Sequence, residues 1–390
     1  MSEIKELIER LCPDGVEYKK LGELCEILDS QRKPVAKGKR EGGEYPYYGA
    51  NGIQDYVNDY LFDGTFLLVG EDGSVINKDL SPVLNWAEGK IWVNNHAHIL
   101  KEISKVAILR FIFFALQQTD VSGLVRGTPP KLNQANLKSI EIPVPPIEVQ
   151  RKIVEILDNF TELEAELEAE LEARRKQYEY YRNQLLTFDD TRSDVKCMTL
   201  GEIGEIIKGS GIQKSDFVES GYPCIHYGQL HTYFGTFADK SKSYINKNLY
   251  DRCKKANFGD LIIASTSEDV EACCKATAWL GGEVAISGDA HIFHHKQNPK
   301  YVAYFFQTDN FANQKRKYAS GVKVVRVNSD NLAKITIPIP PLEEQKRIVA
   351  ILDRFEALTT DLQSGLPAEI EARRKQYEYY REKLLNFKRL

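Results

Sequence analysis

The side chains best placed to do chemistry are cations gathered in short loops. Gln31-Arg32-Lys33-Pro34-Val35-Ala36-Lys37-Gly38-Lys39-Arg40 packs five cations into nine residues, and its proline and glycine favour a loop. Tyr48 and Asn51 follow it. A second cluster, Lys315-Arg316-Lys317, precedes Ser320-Gly321, with Lys323 and Arg326 beyond. Lysine and arginine on phosphates release counterions, which supplies affinity without sequence information. Arginine, asparagine and glutamine also pair bidentately with base edges in the major groove. Candidate base readers are therefore Arg32, Asn51, Asn94, Asn95 and Arg126 in the first half, and Gln213, His226, Gln229, Lys323 and Arg326 in the second. Lys33, Lys37, Lys39, Arg40, Tyr48, Lys131, Lys214, Lys315, Arg316 and Lys317 complete the expected contact set.

Catalytic chemistry finds less support. A phosphate-binding P-loop needs glycines followed by Lys-Ser/Thr, and none occurs. Gly209-Ser210-Gly211 is too short for a cofactor loop, and the Pro-Pro pairs lead helices rather than form a methyltransferase's catalytic loop. No carboxylate spacing suggests a nuclease metal site. His294 and His295 with Cys273 and Cys274 match no zinc pattern. His96, His98 and His291 read as strand histidines at a polar surface, with His291 in the same place in its domain as His98. No catalytic residue, metal or bound cofactor is expected.

The elements that position these loops come from a duplication. Residues 142–188 (IPVPPIEVQRKIVEILDNF…) and 337–387 (IPIPPLEEQKRIVAILDRF…) repeat each other, and EARRKQYEYYR recurs unchanged at 172–182 and 371–381. Pro143, Pro145 and Pro146, and Pro338, Pro340 and Pro341, predict extended leads with helices starting just after them. The first copy then runs to about Leu186 without glycine or proline, a rod of roughly 60 Å. Its seam is Ile153, Leu157, Phe160, Leu163, Leu167, Leu171, Tyr178, Tyr181 and Leu185. The matching seam is Ile348, Leu352, Phe355, Leu358, Leu362, Ile370, Tyr377, Tyr380 and Leu384. Such narrow stripes predict an antiparallel coiled coil. The second copy carries four extra residues within Gln363-Ser364-Gly365-Leu366-Pro367-Ala368. Glycine suits a helix end and proline a new first turn, so a break is predicted there, with a stop near Gln363 and a restart near Pro367.

The proline lead, the Glu-x-Gln after it (Glu148-Val149-Gln150, Glu343-Glu344-Gln345), and the closing EARRKQYEYYR and (Asn/Glu)-x-Leu-Leu strings resemble the conserved regions of type I restriction-modification specificity subunits. The resemblance covers nearly the whole chain. It implies two target-recognition domains held apart by a paired-helix spacer, reading double-stranded DNA with one half-site each. It also implies docking of two methyltransferase subunits that carry S-adenosylmethionine, and of restriction/translocase subunits, with no activity in this chain alone. TELEAELEAELE at 161–172 resembles the family's tetrad repeats, whose number adjusts the spacing of the half-sites.

The rest of the chain agrees with this plan. At 390 residues two or three domains are expected. No apolar run is long enough to cross a bilayer, the N-terminus lacks a signal-peptide core, and seven scattered cysteines show no disulfide framework. A cytoplasmic, non-membrane location is therefore expected. The net charge of −4 argues weakly against a nucleic-acid partner, but the excess acid lies on the spacer at Glu162, Glu164, Glu166, Glu168, Glu170 and Glu172. Local patches decide instead.

KKLGELCEI and MTLGEIGEI mark the start of each globular domain. The expected layout is 1–17 helix and turn, 18–141 first recognition domain, 142–188 spacer, 189–197 linker, 198–336 second recognition domain and 337–390 second spacer. The N-terminus supplies the lead-in that the C-terminus lacks, a circular repeat with a pseudo-twofold axis. The fold class is α/β (α+β). Expected strands include Tyr45–Tyr48, Thr65–Val69, Lys90–Val93, His98–Leu100, Asp260–Ala264, Glu283–Ile286 and His291–His294. Val106–Gln117 reads as a largely buried helix, with strand left open by its β-branched content, Tyr301–Gln307 as an apolar helix, and Asp63-Gly64 and Asp72-Gly73 as tight turns. The rival readings are a coiled-coil scaffold without DNA specificity, which salt-dependent, sequence-selective DNA binding separates, and a single-chain modification enzyme, which lacks its cofactor motifs.

Overall fold

Both proline leads are extended strands, as the fixed φ of proline requires. Glu141–Val144 pairs antiparallel with Glu17–Lys20, and Thr336–Ile339 pairs the same way with Lys196–Thr199. The computed structural model describes residues 2–103, 106–189, 192–321, 323–361 and 364–390. A central helix, Ile147–Leu185, runs 39 residues unbroken after the first lead. After the second lead come two helices, Leu342–Thr360 and Leu366–Leu385, so the predicted break is present. Gly365 sits against the end of the first of these: its N–H donates to the Asp361 carbonyl at 3.0 Å. A Cβ there would lie 2.5 Å from the Ala357 carbonyl oxygen. Pro367 falls in the first turn of the new helix, where its missing N–H is harmless. Leu362 and Gln363 lie outside the described residues.

By packing, the chain divides into two compact units, Met1–Leu167 with Ile370–Leu390, and Glu168–Glu369. Each unit thus takes half of the central helix and one of the two C-terminal helices. In the first, a six-stranded sheet has the order Cys25–Ile27, Ala97–Glu102, Phe62–Gly70, Leu84–Val93, Gly42–Gly49, Gly52–Val57. All neighbours are antiparallel except Gly42–Gly49 beside Leu84–Val93. Asp63-Gly64 is not a turn: it lies inside its strand, opposite Lys90 and Gly89. At the other expected site, Asp72-Gly73, the chain does bend, and the Gly73 φ of 76° suits glycine.

The second unit repeats the first four strands as Gly204–Lys208, Ala290–His295, Leu261–Ala264 and Ala276–Trp279, with Phe237–Ala238 added. A second five-stranded sheet is built around Tyr222–Ile225 and Val284–Ile286, whose parallel pairing (Cys224↔Ala285, Ile225↔Ile286) repeats that of Gly42–Gly49 with Leu84–Val93 (Tyr47↔Trp92, Tyr48↔Val93) in the first unit.

Two pairs of equivalent positions are buried in both units. Ile153 and Leu157, with Val149, join one core with Phe111, Phe114, Leu384 and Leu385. Their counterparts Ile348 and Leu352, with Val349, join Tyr301, Tyr304 and Leu186. Full burial of each such aliphatic side chain contributes roughly 1.5–3 kcal/mol.

The aromatic positions of the repeat then pair off. Phe160 packs on Tyr377 and Tyr380, and Glu164 meets Arg374 further along, so the central and last helices run antiparallel. Phe355 stacks on Tyr178 and Tyr181 in the second unit. Two seam positions differ from expectation. Tyr181 and Leu358 are both 39% exposed, although Tyr181 still stacks on Phe355.

The ends of the chain close the first unit, as the circular repeat requires. Val16 donates to the Lys388 carbonyl at 2.9 Å, Leu390 donates back to Val16, and Tyr18 Oη donates to the Phe387 carbonyl. Among the described residues no helix is long and apolar enough to cross a membrane.

Candidate nucleic-acid interface

The Glu-x-Gln motif fixes where each globular domain sits on its helix. Gln150 is fully buried. Its amide donates to the carbonyls of Pro145 (2.7 Å) and Val106 (2.8 Å), and its Oε1 accepts from Ile108 N–H at 2.9 Å. Gln345 repeats this with the Pro340 carbonyl, Gln297 Oε1 and Asn298 N–H. Each glutamine therefore ties the proline lead to the entry of the domain's apolar helix, Leu109–Leu116 or Pro299–Phe305. Ion pairs at matching places, Arg110–Asp158 (2.7 Å) and Lys300–Asp353 (2.8 Å), fasten the same helices further along.

On this mounting, the cations of the 31–40 loop divide into two kinds. Arg32 is turned inward: it bonds the Glu71 carboxylate at 2.6 Å and the carbonyls of Ala97 and Asp29 at 2.8 and 3.0 Å. Arg40 donates to Asp55 and to the Val35 carbonyl, and its guanidinium lies 4.1 Å from the centre of the Tyr47 ring. Both arginines therefore hold the loop together, and Arg32 is not free to read a base. Lys33, Lys37 and Lys39 stay exposed, with no ion pair among the described residues.

Beneath Arg32 lies a buried charged knot. His98 is fully buried, not at a polar surface. Its Nδ1 meets Asp29 Oδ2 at 2.6 Å and its Nε2 meets the Leu132 carbonyl at 2.8 Å, so both nitrogens face acceptors. Burial alone would raise the Asp29 carboxyl, but the His98 hydrogen bond and charge, Gln134 and Arg32 hold it below the usual range. Glu71 is likewise held down against its burial by Arg32 and Lys131.

Asp29, Glu71 and His98 also form the one group of metal-ligand type found among the described residues. Arg32 at 2.6 Å and Lys131 at 3.0 Å from Glu71 already supply the cationic charge there. In the second unit Lys208, paired with His291, stands where Asp29 follows the sheet's first strand in the first unit, and His291 pairs in the register of His98 (Val69↔His98, Ile263↔His291). His291 is 4% exposed, and burial lowers its pKa. It too is interior rather than at a surface.

Other expected readers are also structural. Asn94 is 3% exposed, donating to Gln54 and accepting from His96 N–H. Tyr48 is buried. His226 accepts from Gly228 N–H, and Gln229 bonds His226 N–H and Ser243, so both cap their own helix. Lys315 is 4% exposed, its ammonium donating to the carbonyls of Glu271 and Cys273. Arg316 is exposed but paired with Glu271 at 2.8 Å. Lys131 is exposed and paired with Glu71, and Arg126 is exposed beside it, joined through a backbone bridge.

Asn51, Asn95, Gln213, Lys214, Lys317, Lys323 and Arg326 are exposed. In the first unit the segments carrying Asn95, Arg126 and Lys131 converge on Glu71 at one end of the sheet. In the second, Arg326 is laddered to Thr266, whose carbonyl takes His231 Nε2 from the His226 helix. His294 and His295 do not meet Cys273 and Cys274. The histidines end their strand opposite Glu205 and Gly204, whereas Cys274 N–H bonds Ala264 at the other end of the neighbouring strand. No sequence signal announced the acidic residues that withdraw the arginines.

A family model described as the type I restriction modification DNA specificity domain matches the chain twice, over residues 13–173 and 192–372. The chain belongs to that family. The two matches coincide with the two turns of the repeat. Among specificity subunits it is similar to one from Haemophilus influenzae, at 38% identity over 95% of this chain and 96% of that one. The Escherichia coli EcoR124I/EcoR124II specificity subunit is 31% identical over 99% of this chain and 98% of its own length.

Two solved structures share the fold. The S subunit of M. genitalium has a TM-score of 0.58 at 15% identity, covering 96% of this chain and 97% of that one. A chain from a type I R-M system, described for its complex assembly and conformational transition, has a TM-score of 0.59 at 17% identity, covering 96% and 98%.

Proposed function

We propose that this specificity-family chain reads a bipartite double-stranded DNA target, one half-site per globular domain. It has no catalytic role of its own and acts in the cytoplasm. The observation that carries the reading is an equal frame bearing unequal loops. Four strands, a buried glutamine and a helix recur in both units, while the exposed residues at the loop ends differ: Lys33, Lys37, Lys39, Asn51 and Asn95 against Lys214, Lys323 and Arg326. Exposed lysines supply phosphate affinity, and exposed Asn and Arg side chains can reach base edges.

The converse pattern supports docking of two copies of a methyltransferase subunit, which would hold S-adenosylmethionine, with restriction/translocase subunits joining the assembly. Tyr180 (60% exposed) and Tyr379 (57% exposed) are identical positions of the duplicated string. Each stands close along its helix to a half-buried arginine whose guanidinium covers a tyrosine ring, Arg182 over Tyr178 and Arg381 over Tyr377. A cleft at the same place in each unit is lined by Glu179 and Gln307, and by Glu378 and Gln117. Large exposed aromatics kept alike in two copies suit two copies of one partner.

The test is the salt dependence of binding. Lys37→Gln with Lys39→Gln should weaken binding to all sequences and reduce the slope of log K against log salt by about 2, near 0.9 for each phosphate no longer neutralised. An unchanged slope removes the loop from the interface. Sequence-independent binding by the unaltered chain would favour a protein scaffold instead.

A further inference from the structure

The second unit holds a thiol pair whose sulfurs have no part in DNA reading, in residues that line the same cleft as Glu179 and Gln307. Cys273 and Cys274 are each 1% exposed, and the left-handed backbone of Cys274 (φ 64°) accompanies an Sγ–Sγ distance of 3.9 Å. Cys273 Sγ also faces the carbonyl oxygens of Ser265 at 3.7 Å and Val325 at 3.9 Å. Lys315 is fixed beside the pair, its ammonium 2.9 Å from the Cys273 carbonyl and 2.8 Å from that of Glu271. The Glu271 carboxylate is itself taken by Arg316.

A hydrogen bond from the Cys274 thiol, aided by the Lys315 charge and opposed by burial, brings Cys273 down to about 7. Cys274 is pushed upward by the same hydrogen bond and by burial. Of the two sulfurs, Cys273 is therefore the one that yields its proton more readily and serves as the nucleophile. Both sulfur-bearing residues line a cavity of about 450 Å³ with Ala272, Thr308, Ala312 and Lys315. A small neutral oxidant can enter such a space, whereas a bulky reagent meets little exposed sulfur.

We propose that Cys273 and Cys274 are a peroxide-reactive modification site that closes reversibly to a vicinal disulfide. The Cys273 thiolate attacks one oxygen of hydrogen peroxide. An S–O bond forms, the O–O bond breaks, and hydroxide leaves. The Cys274 sulfur then attacks the Cys273 sulfenic sulfur, forming the S–S bond and expelling hydroxide, which takes the Cys274 proton as water. Two thiols are oxidised, one peroxide is reduced to water, and a dithiol reductant reverses the result. Drawing the sulfurs from 3.9 Å to about 2.0 Å shifts Cys273 against the Val325 carbonyl, in the short strand that also carries Arg326.

The experiment treats the full chain with hydrogen peroxide, denatures it in an alkylating reagent and digests it with trypsin. The peptide Ala256–Lys275 contains Cys273 and Cys274 as its only cysteines. It should lose two hydrogens and escape alkylation, and dithiothreitol should restore both. Cys197, exposed on the surface, serves as the internal control. A peptide that stays reduced while Cys197 oxidises overturns the proposal. Lys315→Gln should slow the loss severalfold, and an unchanged rate removes the lysine's role. Cys274→Ser gives a reading that does not depend on the lysine variant folding. It should accumulate a Cys273 sulfenic acid that dimedone traps, and labelling confined to other cysteines refutes the assignment.

Discussion

Replacing Gln345 by leucine should destabilise the second unit without changing any exposed side chain. Gln345 is fully buried and holds three partners: Asn298 N–H at 2.9 Å, the Pro340 carbonyl at 2.9 Å and Gln297 Oε1 at 2.8 Å. Leucine fills much of the same volume but leaves the Asn298 donor and the Pro340 acceptor buried without partners. Each orphaned group costs about 1–3 kcal/mol, partly offset by the more favourable burial of leucine, for a net loss of about 2–4 kcal/mol. In a unit of this size each kcal/mol moves the midpoint by roughly 2–4 °C, so a drop of roughly 4–16 °C is expected by calorimetry. Hydrogen exchange should quicken at the Asn298 amide. Gln150→Leu should do the same to the first unit through Ile108 N–H and the Pro145 carbonyl. Because the two sites lie in separate packing units, the double variant should show both losses, additive to about 0.5 kcal/mol. A loss below about 0.5 kcal/mol, with unchanged exchange at Ile108 and Asn298, would refute the view that these glutamines clamp domain to helix.

Burial lowers His295 to about 4, below its unfolded value of about 6.5. Its stabilisation is therefore present above pH 6.5 and lost as pH falls towards 4, by up to about 3 kcal/mol. Urea midpoints of the second unit should follow that trend, and His295→Gln should flatten it; a variant with the same slope assigns the effect elsewhere. Gly365→Ala should destabilise the turn after Leu342–Thr360 by about 1–3 kcal/mol, since its Cβ would press on the Ala357 and Leu358 carbonyls. An equally stable variant, measured by thermal melt, would show that the turn relaxes freely. Deleting Ala165–Glu168 shortens the central helix by about 6 Å and rotates its remaining C-terminal part by about 40°. Mapping methylated sites should then show both half-sites kept and the gap between them narrowed, whereas an unaltered gap removes the helix as a ruler.

Much of the frame was legible in the sequence because it depends on local chemistry. Prolines fix φ wherever they stand, so the two extended leads and the helix starts after them come directly from their positions. A glycine and a proline within a short insertion are enough to break one copy of the helix and leave the other whole. The duplicated string required two equivalent packings, and Phe160 with Tyr377 and Phe355 with Tyr178 supply them.

Which cations remain available was settled only in three dimensions. Arg32 and Lys315 look like their neighbours Lys33 and Lys317 in the chain, yet their partners lie 39 to 44 residues away, at Glu71, Glu271 and Cys273. A loop's composition says how much charge it carries. Whether that charge faces solvent depends on the acceptors the sheet brings beneath it, and burying an arginine or a lysine is tolerable only where such acceptors are in place.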